Sequence, residues 1–92
     1  MKKEEAKTLL KKIINYTEKV WHKNGWTTHW IVVAGLNLRF LEWTWKEISE
    51  DLGKHPSHIR NRVLKALEIA SENPDIENYK ISELKDIYLK MK

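Results

Sequence analysis

Apolar side chains near the start of the chain recur at helical spacing. Ala6, Leu9, Leu10, Ile13, Ile14, Thr17, Val20 and Trp21 fall on one face when residues 3–22 are wound as a helix, and Lys and Glu fill the other. Lys23-Asn24-Gly25 then reads as a stop, with Gly25 suited to the left-handed residue that closes many helices. Thr27 or Thr28 can cap a second helix over residues 28–41. Its apolar residues (Trp30, Ile31, Val32, Val33, Ala34, Leu36, Leu38, Phe40, Leu41) lie nearly all round the axis, as in a central, buried helix. The same stretch has a rival strand reading. Trp30 to Val33 is rich in β-formers, and Leu36 to Phe40 alternates with period two. Helix is preferred because no other segment offers a partner strand.

Glu42-Trp43-Thr44 is a short connection. Thr44 followed three residues later by Glu47 forms a capping box, which predicts a short helix over 45–52 ending at Gly53. Pro56 suits the first turn of the next helix, where its missing N–H is not needed. That helix extends to Glu72, until Asn73-Pro74 stops it. Residues 75–81 look irregular, and Ser82 can cap a last helix carrying Leu84, Ile87, Tyr88 and Met91. The reading is therefore all-α: four to five helices in a small bundle containing a helix-turn-helix. A single domain covers 1–92, with an N-terminal amphipathic helix (3–22), the helix-turn-helix unit (44–72) and a C-terminal extension (73–92).

Composition narrows the chemistry. A chain of 92 residues, 41% hydrophobic and 33% charged, suits one globular domain with a modest core. The absence of cysteine excludes disulfides, thiolate metal sites and cysteine nucleophiles. No apolar run reaches the roughly 18–20 residues that span a bilayer. The first twelve residues lack an apolar signal core. The expected location is cytoplasmic, with no membrane partner.

The net charge of +4 is unevenly spread. Residues 1–23 carry seven Lys and three Glu, as a Lys-rich terminal helix would. Residues 53–67 carry Lys54, Arg60, Arg62 and Lys65, with His55 and His58, and no acid at all.

That acid-free segment lies within Thr44–Leu67, where two helices meet at a tight glycine turn. In the first helix Ile48 and Leu52 share a face, and small Ser49 suits a close helix–helix approach. In the second, Ile59, Val63, Ala66, Leu67 and Ala70 make an apolar face. Ser57, Arg60, Asn61, Leu64 and Glu68 lie opposite, flanked by His58, Arg62 and Lys65. This is the pattern of a helix-turn-helix whose second helix lies in the DNA major groove. A reading helix needs one apolar face for docking, an outward face of short polar and Arg side chains for base edges, and few acids near the phosphates. Ser57, Arg60 and Asn61 are expected to face bases. Lys54, His58, Arg62 and Lys65 are expected to hold phosphates, with Lys46 assisting. The helix N-termini at Thr44 and His55-Pro56 can add backbone N–H groups.

Glu47-Ile48-Ser49-x-x-Leu52-Gly53, followed by Ser57-x-Ile59-x-x-Arg62-Val63-x-x-Ala66-Leu67, resembles the trihelical helix-turn-helix of sigma-factor region four and of LuxR-type regulators. It is also similar to the C-terminal DNA-binding domain of the replication initiator DnaA, an arrangement that Asn73-Pro74-Asp75-Ile76 extends. The resemblance is close over Thr44–Leu67 and looser on either side. It implies a trihelical fold and double-stranded DNA as partner. The chain departs from these families at Lys54, where an aliphatic residue is usual, and at His55, where a serine cap is common. It departs again at Pro56, which stands where DnaA has its signature histidine.

Other readings compete with this one. Any two helices joined by a glycine turn can mimic the motif, and a basic stretch can be simply a solvated face. Five tryptophans (Trp21, Trp26, Trp30, Trp43, Trp45) suit core packing in a small domain, or an aromatic surface for a protein partner. Trp45 is also placed to pack against a DNA backbone. His22, His29, His55 and His58 lack the spacing of a zinc motif, and Glu47, Glu50 and Asp51 read as surface charge on a short helix. The chain reads as a non-enzyme with no cofactor, no metal and no small-molecule ligand. The basic N-terminal helix could lie on a membrane surface, but covering its own core explains its pattern more simply. A homodimer would pair two reading helices. The favoured role is a small transcriptional regulator of the kind carried by a phage or mobile element. The alternatives are a DnaA-like replication-initiation module and a helical protein-interaction module with a Trp-rich surface.

Overall fold

Each block of helical spacing becomes a helix. The computed structural model describes residues 3–21, 26–39 and 41–90, which form α1 (Lys3–Trp21), α2 (Trp26–Arg39), α3 (Trp45–Leu52), α4 (Pro56–Ala70) and α5 (Asn78–Leu89). No strand forms among the described residues, and residues 30–39 of the stretch with the rival strand reading are helical. α4 lies at the centre, with α1, α2, α3 and α5 all packed on it. The shortest dimension is 18 Å, which matches two helix layers at the usual separation of about 8–10 Å.

α1 has Glu4 and Glu5 in its first turn and Lys19 in its last, the charge order that the helix dipole favours. Ala6, Leu9, Leu10, Ile13 and Thr17 are buried along one face. The buried Thr17 hydroxyl donates to the Ile13 and Ile14 carbonyls at 2.8 and 3.1 Å, so its polarity is satisfied within the helix.

α2 is less enclosed than its all-round apolar pattern predicts. Ile31, Val32, Gly35 and Leu36 are buried, whereas Trp30 and Asn37 are exposed. The centre belongs instead to α4, whose Ile59, Val63, Ala66, Leu67 and Ala70 are fully buried. The two helices meet at Gly35. A Cβ there would lie 2.8 Å from Val63 Cγ2 and 3.2 Å from Ile59 Cγ2. The contact exists because α2 presents bare backbone to two β-branched side chains.

The last turn of α2 is tied from both sides. Arg39 Nη1 donates to the Trp43 carbonyl across the connection to α3. Tyr88, buried on α5, donates its hydroxyl to the Leu36 carbonyl at 3.2 Å, where a helix runs out of its own N–H partners. The Tyr88 ring also lies 5.8 Å from that of Trp45, tilted at 42°. Glu42, between α2 and α3, adopts a left-handed φ of 64°.

Several boundaries differ from those the sequence predicts. α2 begins at Trp26, so Thr27 and Thr28 lie in its first turn and neither caps it. First-turn N–H groups have no helical partners in any case, so hydroxyl residues are tolerated there. α4 ends at Ala70, two residues before Glu72, and tapers through Glu72 N–H to Ile69 O (3.1 Å) and Asn73 N–H to Ala70 O (3.0 Å). Asn73-Pro74-Asp75-Ile76 is a turn, closed by Ile76 N–H to Asn73 O at 3.1 Å and by Asp75 N–H to Asn73 Oδ1 at 3.0 Å. It delivers Ile76 into the core. α5 therefore starts at Asn78, with Glu77 as its cap residue, and Ser82 is an exposed interior residue rather than a cap. Its buried stripe is Ile81, Leu84 and Tyr88, while Ile87 is exposed. The expected stop at Lys23-Asn24-Gly25, and Phe40 and Met91, lie outside the described residues.

Gly35→Ala gains up to about 1 kcal/mol of helix propensity, yet overpacking against Val63 opposes it by about 1–3 kcal/mol. Urea denaturation should show a net loss, and the loss should shrink in a Val63→Ala background, where the clashing methyl is gone. Burial pushes the Tyr88 phenol well above its ordinary range, with Arg39 opposing the shift weakly. A raised folded value means that stability is intact below the unfolded tyrosine range of about 10 and falls above it. Thermal melts across that range should show this alkaline loss reduced in Tyr88→Phe, relative to that variant's own neutral-pH stability.

Candidate nucleic-acid interface

The unit from Thr44 to Ala70 is built from three local devices. Thr44 Oγ1 accepts the Glu47 N–H at 3.2 Å, and the Thr44 N–H donates to Glu47 Oε1 at 3.2 Å, completing the capping box at the start of α3. Gly53 ends α3 in the left-handed conformation (φ 66°, ψ 29°), and the Gly53 and Lys54 N–H groups both donate to the Ser49 carbonyl. His55 then caps α4. Its Nδ1 accepts the Ser57 N–H at 3.2 Å and lies 2.7 Å from Ser57 Oγ. Pro56 occupies the first turn. Ile48 and Ser49 of α3, with Ile59 and Val63 of α4, are buried where these helices join the core, and Leu52 packs half-buried against it.

That docking fixes which side of α4 meets solvent. Ser57, His58, Asn61, Lys65 and Glu68 are exposed, as are Lys46, Lys54 and His55 beside them in the sequence. Leu64 is half-buried against the core. Arg60 and Arg62 are both half-buried. Two residues apart, they stand about 200° apart around the helix axis and so flank the exposed face instead of sharing it. Arg60 Nε is buried and finds no hydrogen-bond partner among the described residues. The Ser57 hydroxyl is engaged with His55, so its expected reach toward a base is taken up by the cap. Asn61 is the expected base-facing residue that the packing leaves both exposed and central.

The acid-free window of the sequence closes differently in three dimensions. Glu68 lies just past its end, yet returns to the exposed face beside Lys65, with Lys65 Nζ 3.5 Å from Glu68 Oε2. α3 adds the exposed carboxylates Glu47, Glu50 and Asp51. The basic surface is thus a band with acids on its borders. Helical spacing already sets Glu68 on this face, seven residues from Asn61, although it falls outside the acid-free segment.

Trp45 is only 5% exposed, packed against the tilted Tyr88 ring, and is not available to a DNA backbone. A large indole on the inward face of a short helix is worth more to the core than to a surface. Trp43 is half-buried against the core, whereas Trp30 is 61% exposed. The side chains of Trp21, Trp26, His22 and His29 lie outside those described. Among the described residues no three His, Asp or Glu side chains converge as a metal site, and no helix is long and apolar enough to cross a membrane. Comparison of the chain with known protein families, characterised proteins and solved structures yields no match.

The two devices at the turn make separable predictions. His55→Ala should lower stability by about 0.5–2 kcal/mol, the range for losing a side-chain cap, and His55→Asn should recover most of it. Gly53→Ala has open space for its methyl, yet should lose about 1–2 kcal/mol because of its left-handed backbone alone. Urea midpoints of the three variants check both values.

Proposed function

We propose that the chain binds double-stranded DNA through residues 44–70, with α4 as the reading helix, and serves as a small transcriptional regulator. The observation that carries this reading is the division of α4. Ile59, Val63, Ala66 and Leu67 are spent on docking, while Asn61 and Lys65 remain exposed beside the left-handed turn at Gly53 and Lys54. A docked helix with a free face of amide and cationic side chains fits the major groove in width and in hydrogen-bonding chemistry. Asn61 would pair the donor and acceptor edge of adenine. Lys54, His58, Arg62 and Lys65 would hold phosphates, with Lys46 at the border, and Arg60 would meet a base or phosphate after leaving its half-buried position. A second copy of the chain would supply a second reading helix for a paired site.

A mobility shift on random duplex over a series of salt concentrations tests this directly. Lys54→Ala, Arg62→Ala and Lys65→Ala should each weaken binding to all duplexes alike and lower the salt slope by about one unit. A triple variant that binds as tightly as the wild type would remove this surface from consideration. The exposed Trp30 favours one other reading, a helical protein-interaction module. Failure to bind any duplex at low salt, with partner binding lost in Trp30→Ala, would establish that reading instead.

A further inference from the structure

Glu68 is the one exposed carboxylate on the face of α4 that carries Ser57, Asn61 and Lys65. An acid there is repelled by phosphates, so its place on a DNA-reading face needs a reason. We propose that Glu68 is a specificity residue of this surface, accepting a hydrogen bond from the amino group of a cytosine about two base pairs from the pair met by Asn61. The inference rests on the DNA reading above and adds a second base contact to it.

The geometry comes from the helix. Glu68 follows Asn61 by seven residues, which turn an α-helix by about 700°, only about 20° short of two full turns. The two side chains therefore leave the helix in nearly the same direction. Seven residues also advance the axis by about 10.5 Å, and a helix entering the major groove meets three successive bases, two base-pair steps, over nearly such a run of residues. A helix lying along the groove brings both side chains to base edges in register.

The chemistry selects the base. Guanine and thymine offer a carboxylate only acceptors in the major groove, and adenine sets its amino donor beside the N7 acceptor. Cytosine offers the amino donor alone. Lys65 completes the arrangement. In the free protein it lies 3.5 Å from Glu68, with the two side chains 53% and 68% exposed. Such exposed pairs are held by only about 0–1 kcal/mol, so a phosphate can take Lys65 over while Glu68 turns to the base.

Selection of preferred sites from random duplexes by the wild type, Asn61→Ala and Glu68→Gln tests the proposal. Glu68 is exposed, and glutamine is as good a helix former, so matching thermal midpoints are expected. Glu68→Gln should reduce discrimination about tenfold at one C·G pair, about two pairs from the position blurred by Asn61→Ala. Unrelated duplex should bind it a few-fold more tightly, because a repulsive charge is gone. Several results overturn the proposal while leaving DNA binding intact. One is tighter binding to all duplexes with an unchanged preferred site, which makes Glu68 a repulsive charge only. Others are a sensitive pair that is not C·G, a spacing other than about two pairs, no position sensitive to Asn61→Ala, or no preferred site for the wild type. Failure of the wild type to bind duplex at low salt overturns the DNA reading itself.

Discussion

The fold turns on a place where a side chain is missing. Gly35 lets α2 settle onto Ile59 and Val63 of α4 at a separation that any Cβ would violate. Those two residues also lie on the seam that α4 shares with the rest of the core, so one contact fixes both the depth of α4 and its rotation about its own axis. Once Ile59 and Val63 point inward, Asn61 and Lys65 must point outward, because the helical period leaves them no other direction. The solvent-facing surface is in this sense a product of the core. A shift of α4 by a fraction of a turn would present a different set of side chains without any change in the surface residues themselves.

Local chemistry and tertiary burial divide the work. The capping box at Thr44 and Glu47, the left-handed Gly53 and the His55 cap decide where α3 and α4 begin and end. None of them decides how the two helices are rolled. Rolling is decided by Ile48, Ile59, Val63 and Leu67, which are fully buried. The electrostatic character of the exposed side then follows. Cationic residues cluster around the turn and the flanks of α4, and carboxylates on α3 and at Glu68 set its borders.

This division explains what could be read from the sequence. Thr44, Glu47, Gly53 and Pro56 are local signals whose partners lie within a few residues, and they gave α3 and the start of α4 their correct places. The inward face of α4 was equally legible, because Ile59, Val63, Ala66, Leu67 and Ala70 follow the helical period. α5 was not. Ser82 is as good a capping residue as Thr44, but the burial of Ile76 and Ile81 draws the helix start back to Asn78. Core packing of Trp45 agrees with one of the two readings its sequence offered, but the choice between them depends on Tyr88, which comes from the far end of the chain. Ser57 and Arg60 were placed on the correct helix, yet what their polar atoms do depends on the cap and on neighbouring packing. The role of Gly35 was invisible to pattern reading, since a glycine inside an apolar helix signals close approach only once the facing helix is known.

The hydroxyl of Tyr88 gives the C-terminal helix an influence beyond its own contacts. α5 packs chiefly on α4, but this one hydrogen bond reaches across to the end of α2. A transient detachment of α5 therefore could not remain a local event. It would strip a partner from the Leu36 carbonyl and leave the Trp45 ring without the tilted Tyr88 ring beside it. One side chain thus couples the position of α5 to the end of α2 and, through Trp45, to α3.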